Sequence, residues 1–230
     1  MNELEWNYTE FYSRTNVART YPNEYLVRIF MGRYPNLTLD RTYQGKELLD
    51  IGMGDGRKLK LFCDLGFRAT GTEITPEIST RIERDLRAQG YPALCVTGHN
   101  HTLLLADRTF DYAVFWNSCY YMGPVAAYHR FGQYVAEFAR VLRTDGTLVL
   151  SAPMASCFIF DSARELPDGY SEITSDPYRI RNHQAFRRFL SVEEIIGEFS
   201  GHFTGFRTAS LVDDCFGQAN HWHIIVCTRT

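Results

Sequence analysis

The chain has 230 residues, 45% hydrophobic and 22% charged, with a net charge of −3. Such a length and composition fit one globular domain able to bury its own core. The slight acidity gives no electrostatic footprint for nucleic acid, the acidic start MNELEWNYTEFY lacks the form of a signal peptide, and no apolar run reaches the ~18 residues of a membrane span.

Taken in chain order, the first 45 residues read as helical, with Asn23 an N-cap for NEYLVRIFMGRYP and Pro35 its stop. KELLDI then reads as a strand, RKLKLFCDLG as a helix ended by Gly66, and RATGTEI as a second strand. Thr75, Pro76 and Glu77 form a strong helix start. ALCVTG and FDYAVFW read as the third and fourth strands, GPVAAYHRFGQYVAEFARVLRTDG as a helix and turn, and TLVLSAP as the fifth strand. Such alternation predicts an α/β fold, a parallel sheet with helices on both faces. Ser191 with Glu194 is a capping box. FTGFRTASLV and HWHIIVCTR follow with no helix between them, so a hairpin, with Asp213 and Asp214 in its turn, should make the last strand antiparallel. Six scattered cysteines without a C-x-x-C pair read as reduced thiols in a cytoplasm.

The stretch LLDIGMGDGRK carries the chemistry. Gly52, Gly54 and Gly56 follow the first strand, where open parallel sheets bind ligands. They read as a backbone cradle, or as a plain glycine-rich turn. Glu73 closes the second strand, placed to accept hydrogen bonds from both hydroxyls of a ribose. A dinucleotide fingerprint needs a small third residue for helix packing, and that position is Arg57. The pattern is instead D-x-G-x-G-x-G, with Asp50 suited to the ammonium of a methionine moiety and a poor neighbour for a pyrophosphate. NAD-dependent dehydrogenase chemistry is therefore disfavoured.

LLDIGMGDGRK, GTEI, CVTGHNHTLLLADRTFDYAVFWNSCYYM and ARVLRTDGTLVLSAP, across about residues 46–153, resemble the successive motifs of class I S-adenosylmethionine-dependent methyltransferases. The resemblance implies a Rossmann-like, seven-stranded, mainly parallel sheet with a reversed last strand, and S-adenosylmethionine as cofactor. It implies Asp50, Gly52 and Gly54 beneath the methionine and ribose, Glu73 on the ribose, and Ile74 against the adenine. Where family members commonly carry an aspartate for the adenine amino group, this chain has His99 and then Asn100. Either takes over that contact, or His99 is only a polar loop residue.

Acceptor sites in this architecture line the end of the fourth strand, WNSCYYM. Trp116 is taken to the cofactor side, Asn117 and Tyr121 to the substrate, and Tyr120 to catalysis or a buried helix start. The stretch lacks an N-P-P-Y motif and any acidic residue, so base methylation and a catechol-type metal site are not expected. In DPYRIRNHQAFRRF, Arg179, Arg181 and His183 alternate as on a strand. They form either a face toward an anionic substrate, with His183 the catalytic base, or a solvated basic edge. Tyr12, Arg19 and Tyr21 of the N-terminal segment are placed to reach the methionine carboxylate or the acceptor. His221 and His223 read as structural.

The expected organisation is one methyltransferase domain, with an N-terminal helical cap at 1–45, a cofactor core at 46–152, a substrate cover at 153–190, and a terminal helix and β-hairpin at 191–230. A fainter likeness to methyltransferases of sugar and surface-polysaccharide loci points to O-methylation of a sugar-like or anionic small molecule, with no metal. The alternatives are small-molecule N-methylation and a non-catalytic S-adenosylmethionine-binding protein. The acceptor's identity and the oligomeric state stay open.

Overall fold

The structure, a computed structural model, describes residues 3–14 and 17–230. Helices α1 (Glu3–Ser13) and α2 (Glu24–Met31) precede the sheet. Asn23 caps α2 by accepting from Tyr25 N at 2.9 Å, and the helix ends at Gly32, short of Pro35. The parallel part then runs β1 (Glu47–Ile51), α3 (Arg57–Asp64), β2 (Arg68–Glu73), α4 (Pro76–Ala88), β3 (Leu94–Thr97) and β4 (Phe110–Phe115). Thr75 Oγ1 accepts from Ile78 N at 3.3 Å and so starts α4. After β5 (Tyr121–Pro124) come α5 (Phe131–Val141) and β6 (Leu142–Pro153). Then come β7 (Ala163–Leu166), β8 (Tyr170–Ile173), β9 (Gln184–Arg187), α6 (Val192–Phe199), β10 (Phe203–Cys215) and β11 (Gln218–Arg229).

Seven strands form one sheet in the order β10-β11-β6-β4-β1-β2-β3, with β11 antiparallel to both neighbours and the remaining pairs parallel. Strand order reverses between β1 and β4, which opens a crevice at their carboxyl ends. Successive strand residues feed opposite faces. Leu49, Phe115 and Leu150 pack with α5 on one side, while Leu48, Val114 and Val149 pack with α2, α3 and α4 on the other.

Three expectations are corrected. The helix expected from Gly123 starts at Phe131, because Gly123 (φ +106°) and Pro124 belong to β5. The hairpin turn is Phe216–Gly217, while Asp213 and Asp214 remain paired in β10. Residues 153–190 are no bare loop: β7, β8 and β9 join β5 in an antiparallel four-stranded sheet, order β5-β9-β8-β7. This small sheet brings the chain after β4 and the chain after β6 to one side of the crevice.

Candidate functional site

A cleft of about 520 Å³ opens over the carboxyl ends of β1 and β4. Its floor is the turn after β1. Gly54, at φ +61°, turns its N–H onto Glu73 Oε2 at 2.9 Å, and a Cβ there would lie 2.9 Å from the Tyr12 hydroxyl. Gly56 serves a different end. It caps α3 at φ +76°, and a Cβ would come within 2.5 Å of Ile82 on α4, so its bareness lets two helices close together. Glu73 also accepts from Ile74 N at 3.1 Å and stands in the cleft wall beside Ile74 and Asn100. Burial raises its pKa, and the two N–H donors oppose that rise.

Asp50 is fully buried below this floor. Lys58 Nζ lies 3.1 Å from its carboxylate and donates to Gly52 O at 3.1 Å. The approach is at ion-pair range without hydrogen-bond geometry, so both Asp50 oxygens lack a hydrogen-bond partner. Burial raises the Asp50 pKa while Lys58 pulls it back. The expected ammonium acceptor thus already faces a cation of its own chain and braces the turn from beneath. Trp116 closes this half of the cleft, its buried indole N–H unpartnered among the described residues.

The other half is aromatic. Asn117 takes φ +57°, and Ser151 Oγ holds it by accepting its N–H at 2.9 Å and donating to its Oδ1 at 3.0 Å. Tyr120 is buried between Tyr121, Phe186 and Trp222, and its hydroxyl donates to Asn117 O at 3.0 Å. Tyr121 accepts from Arg181 Nε at 3.0 Å. The Arg181 guanidinium lies over Phe158 and Tyr178, 5.8 and 5.4 Å from their ring centroids, and binds Asp176 Oδ1 at 2.6 Å. Helix α1 roofs the cleft with Tyr8, Phe11 and Tyr12; Tyr8 meets Tyr121 edge-on at 5.8 Å. Thr9 and Arg81 tie that roof to α4, through Thr75 Oγ1 at 3.2 Å and Tyr12 O respectively. Burial pushes the pKa of Tyr8, Tyr12 and Tyr120 well above the ordinary tyrosine value, so all three hydroxyls keep their protons.

Residues 49–150 match the family described as a methyltransferase domain. Solved structures share the fold over most of their length. A Methanosarcina mazei S-adenosylmethionine-dependent methyltransferase is 20% identical, with 85% of this chain and 97% of that one covered at a TM-score of 0.61. A Burkholderia thailandensis 1,6-didemethyltoxoflavin-N1-methyltransferase, solved with S-adenosylhomocysteine, is 18% identical, with 96% and 81% covered at 0.61. A Thermotoga maritima protein described as a possible histamine N-methyltransferase is 17% identical, with 99% and 98% covered at 0.59. No curated protein matches the sequence. Residues 49–150 are a methyltransferase domain, set in the fold of class I S-adenosylmethionine-dependent methyltransferases.

The cofactor fits the methyltransferase's own groups: a turn bared of side chains at Gly54, the Glu73 carboxylate at the end of β2, and an unpartnered indole N–H beside them. Several expected positions are corrected. His99 is exposed, outside the cleft, and stacks on His101 at 5.4 Å, leaving the wall to Asn100. Tyr21, 79% exposed, and Arg19 also lie away from it. The alternation of Arg179, Arg181 and His183 is not a strand. Asp176 accepts from Ile180 N and Arg181 N at 3.0 and 3.3 Å and winds the segment into a turn. Arg179 (φ +58°) and His183 (φ +60°) sit at turn positions that send them outward. The His183 side chain is 74% exposed and pairs with Glu172 at 3.2 Å, away from the cleft. Tyr120 lines the cleft, but its ring is packed against Phe186 and Trp222 and its hydroxyl proton is given to Asn117 O. Tyr8, Lys58, Tyr178 and Trp222 line the cleft unforeseen. The Asp176-Pro177 pair was the available signal, since Asp-Pro starts turns that break strand alternation.

Proposed function

We propose that the methyltransferase methylates an oxygen that is already anionic on a small metabolite, such as a carboxylate or an acidic phenol, with neither protein base nor metal. One observation carries this reading. Among the described residues lining the aromatic half of the cleft, none is a carboxylate or imidazole, and the charged group is Arg181. Arg181 binds Asp176 through one terminal nitrogen and Tyr121 through Nε, which leaves N–H groups for an incoming anion. The cofactor supplies an electrophilic methyl group. In the proposal Glu73, Gly52, Gly54, Ile74, Asn100 and Trp116 hold it, and Tyr12, Asn117, Tyr121 and Arg181 orient the acceptor. Residues 1–45 act as cap and 153–190 as cover, excluding water from the pair. A carboxylate has no proton to lose at neutral pH, so alignment suffices. A sugar hydroxyl, which must lose one, fits these walls less well. Free cysteines throughout support a reducing, cytoplasmic setting.

A second reading, N-methylation of a neutral ring nitrogen or amine, is favoured by the two proteins named as N-methyltransferases among the similar structures. Release of S-adenosylhomocysteine against matched aromatic carboxylates, their amides and their amines separates the two. Turnover confined to the carboxylates supports the first, and turnover confined to amines replaces it with the second. Tyr120→Phe should stay within about fivefold of the parent, because losing a general base costs roughly 10²–10⁴ in rate. A drop of that size would return catalysis to Tyr120.

A further inference from the structure

Strand β10 ends the large sheet, and among the described residues no strand pairs with its outer edge. From Arg207 to Cys215 it keeps one unbroken register with β11, and most of its side chains are exposed. That run holds neither proline nor lysine, and the only register shift recorded for the pair lies before it, between Thr204 and Arg207. Prolines, lysines and bulges are what keep a second strand from adding to the free N–H and C=O groups of an edge.

The side chains specify what would add. A twofold axis normal to the sheet joins two copies of an edge strand antiparallel and keeps every side chain on its own face. Only residues of one face can then stand opposite each other. Arg207 and Asp213 share a face, and Asp214 lies on the other. With the axis at Ser210, Arg207 meets Asp213 of the second copy at both ends. Within them Ala209 meets Leu211, Thr208 meets Val212, and Ser210 meets itself. Opposite charges, an apolar pair, a β-branched pair and a hydroxyl pair thus fall into one register. Within the chain Arg207 donates only to the carbonyls of Gly205 and Phe206, at 3.1 and 3.2 Å, so its charge is not neutralised by a carboxylate among the described residues.

We propose that the methyltransferase forms a homodimer by antiparallel pairing of two β10 strands about Ser210, joining two seven-stranded sheets edge to edge. Residues 207–213 do not line the cleft, so the interface is independent of the reading of the acceptor.

Sedimentation velocity over a concentration series tests this on the full chain, with S-adenosylhomocysteine binding as the check of folding. The parent should be dimeric. Arg207→Asp or Asp213→Arg alone sets like charges opposite each other twice per dimer and should raise the dissociation constant about tenfold. The double variant Arg207→Asp/Asp213→Arg should regain the parent's association. Mixing the two single variants should yield a heterodimer, since both cross pairs are then opposite in charge. A monomeric parent, a dimer indifferent to both single changes, or a double variant and mixture that fail to reassociate would each overturn the proposal.

Discussion

The two halves of the cleft are built differently. The cofactor half rests largely on backbone: the turn after β1, pinned by Gly54 N–H on Glu73. The acceptor half is made of side chains from α1, the chain after β4, the turn at 176–182 and β11. A backbone-built site tolerates few substitutions at glycine yet needs few particular side chains. A side-chain-built site depends on every segment arriving, so its residues are coupled to folding as well as to binding.

Breaking the acceptor half should therefore show in stability first. Arg181→Ala removes the cation beside Asp176, whose side chain is 1% exposed. Leaving that carboxylate unpaired should cost about 3–5 kcal/mol in chemical denaturation. In the folded fraction the acceptor KM should rise while S-adenosylhomocysteine affinity holds. Unchanged stability would mean that Asp176 is satisfied by backbone N–H groups alone and that the two halves are less different than drawn.

The cofactor half should answer in binding. Glu73→Ala should weaken S-adenosylhomocysteine by about 1.5–3 kcal/mol, the range for a hydrogen bond to a charged group. Its pH dependence sharpens the point. Burial raises the Glu73 pKa, so the carboxylate takes up a proton at a higher pH than an exposed glutamate does. Affinity should fall as pH drops into that raised range, and Glu73→Gln should flatten the fall. The linked stability runs the other way: the contribution of protonated Glu73 to the ligand-free fold is present at acid pH and lost as pH rises through its raised pKa. Calorimetry at several pH values measures the first, and urea midpoints compare the second.

The smallest effect belongs to a residue outside both halves. His183→Ala should change stability by less than about 0.5 kcal/mol and leave turnover unaltered, because its partner Glu172 is reached from an exposed ring. A large loss of turnover would bring the 176–183 turn back into the chemistry.

Much of the fold was legible. Asn23, Thr75 and Ser191 each cap the helix expected of them, at 2.9, 3.3 and 3.3 Å, because a cap is a contact between residues two or three apart. The antiparallel β11 followed from two strands with no helix between them. The small sheet was not legible, since β5 and β9 pair across some sixty residues that carry no mark of each other.

The sequence alone determined the alternation of strands and helices, the glycine turn and the carboxylate at position 73, for these rest on local spacing and on backbone conformations open to glycine. Only the tertiary structure decided that Asp50 would be spent on Lys58, that Arg181 would turn inward while Arg179 and His183 turned out, and that Tyr8 and Trp222 would share a cleft. Those outcomes depend on which side chain wins a buried partner, and burial is a property of the packed chain and not of the local sequence.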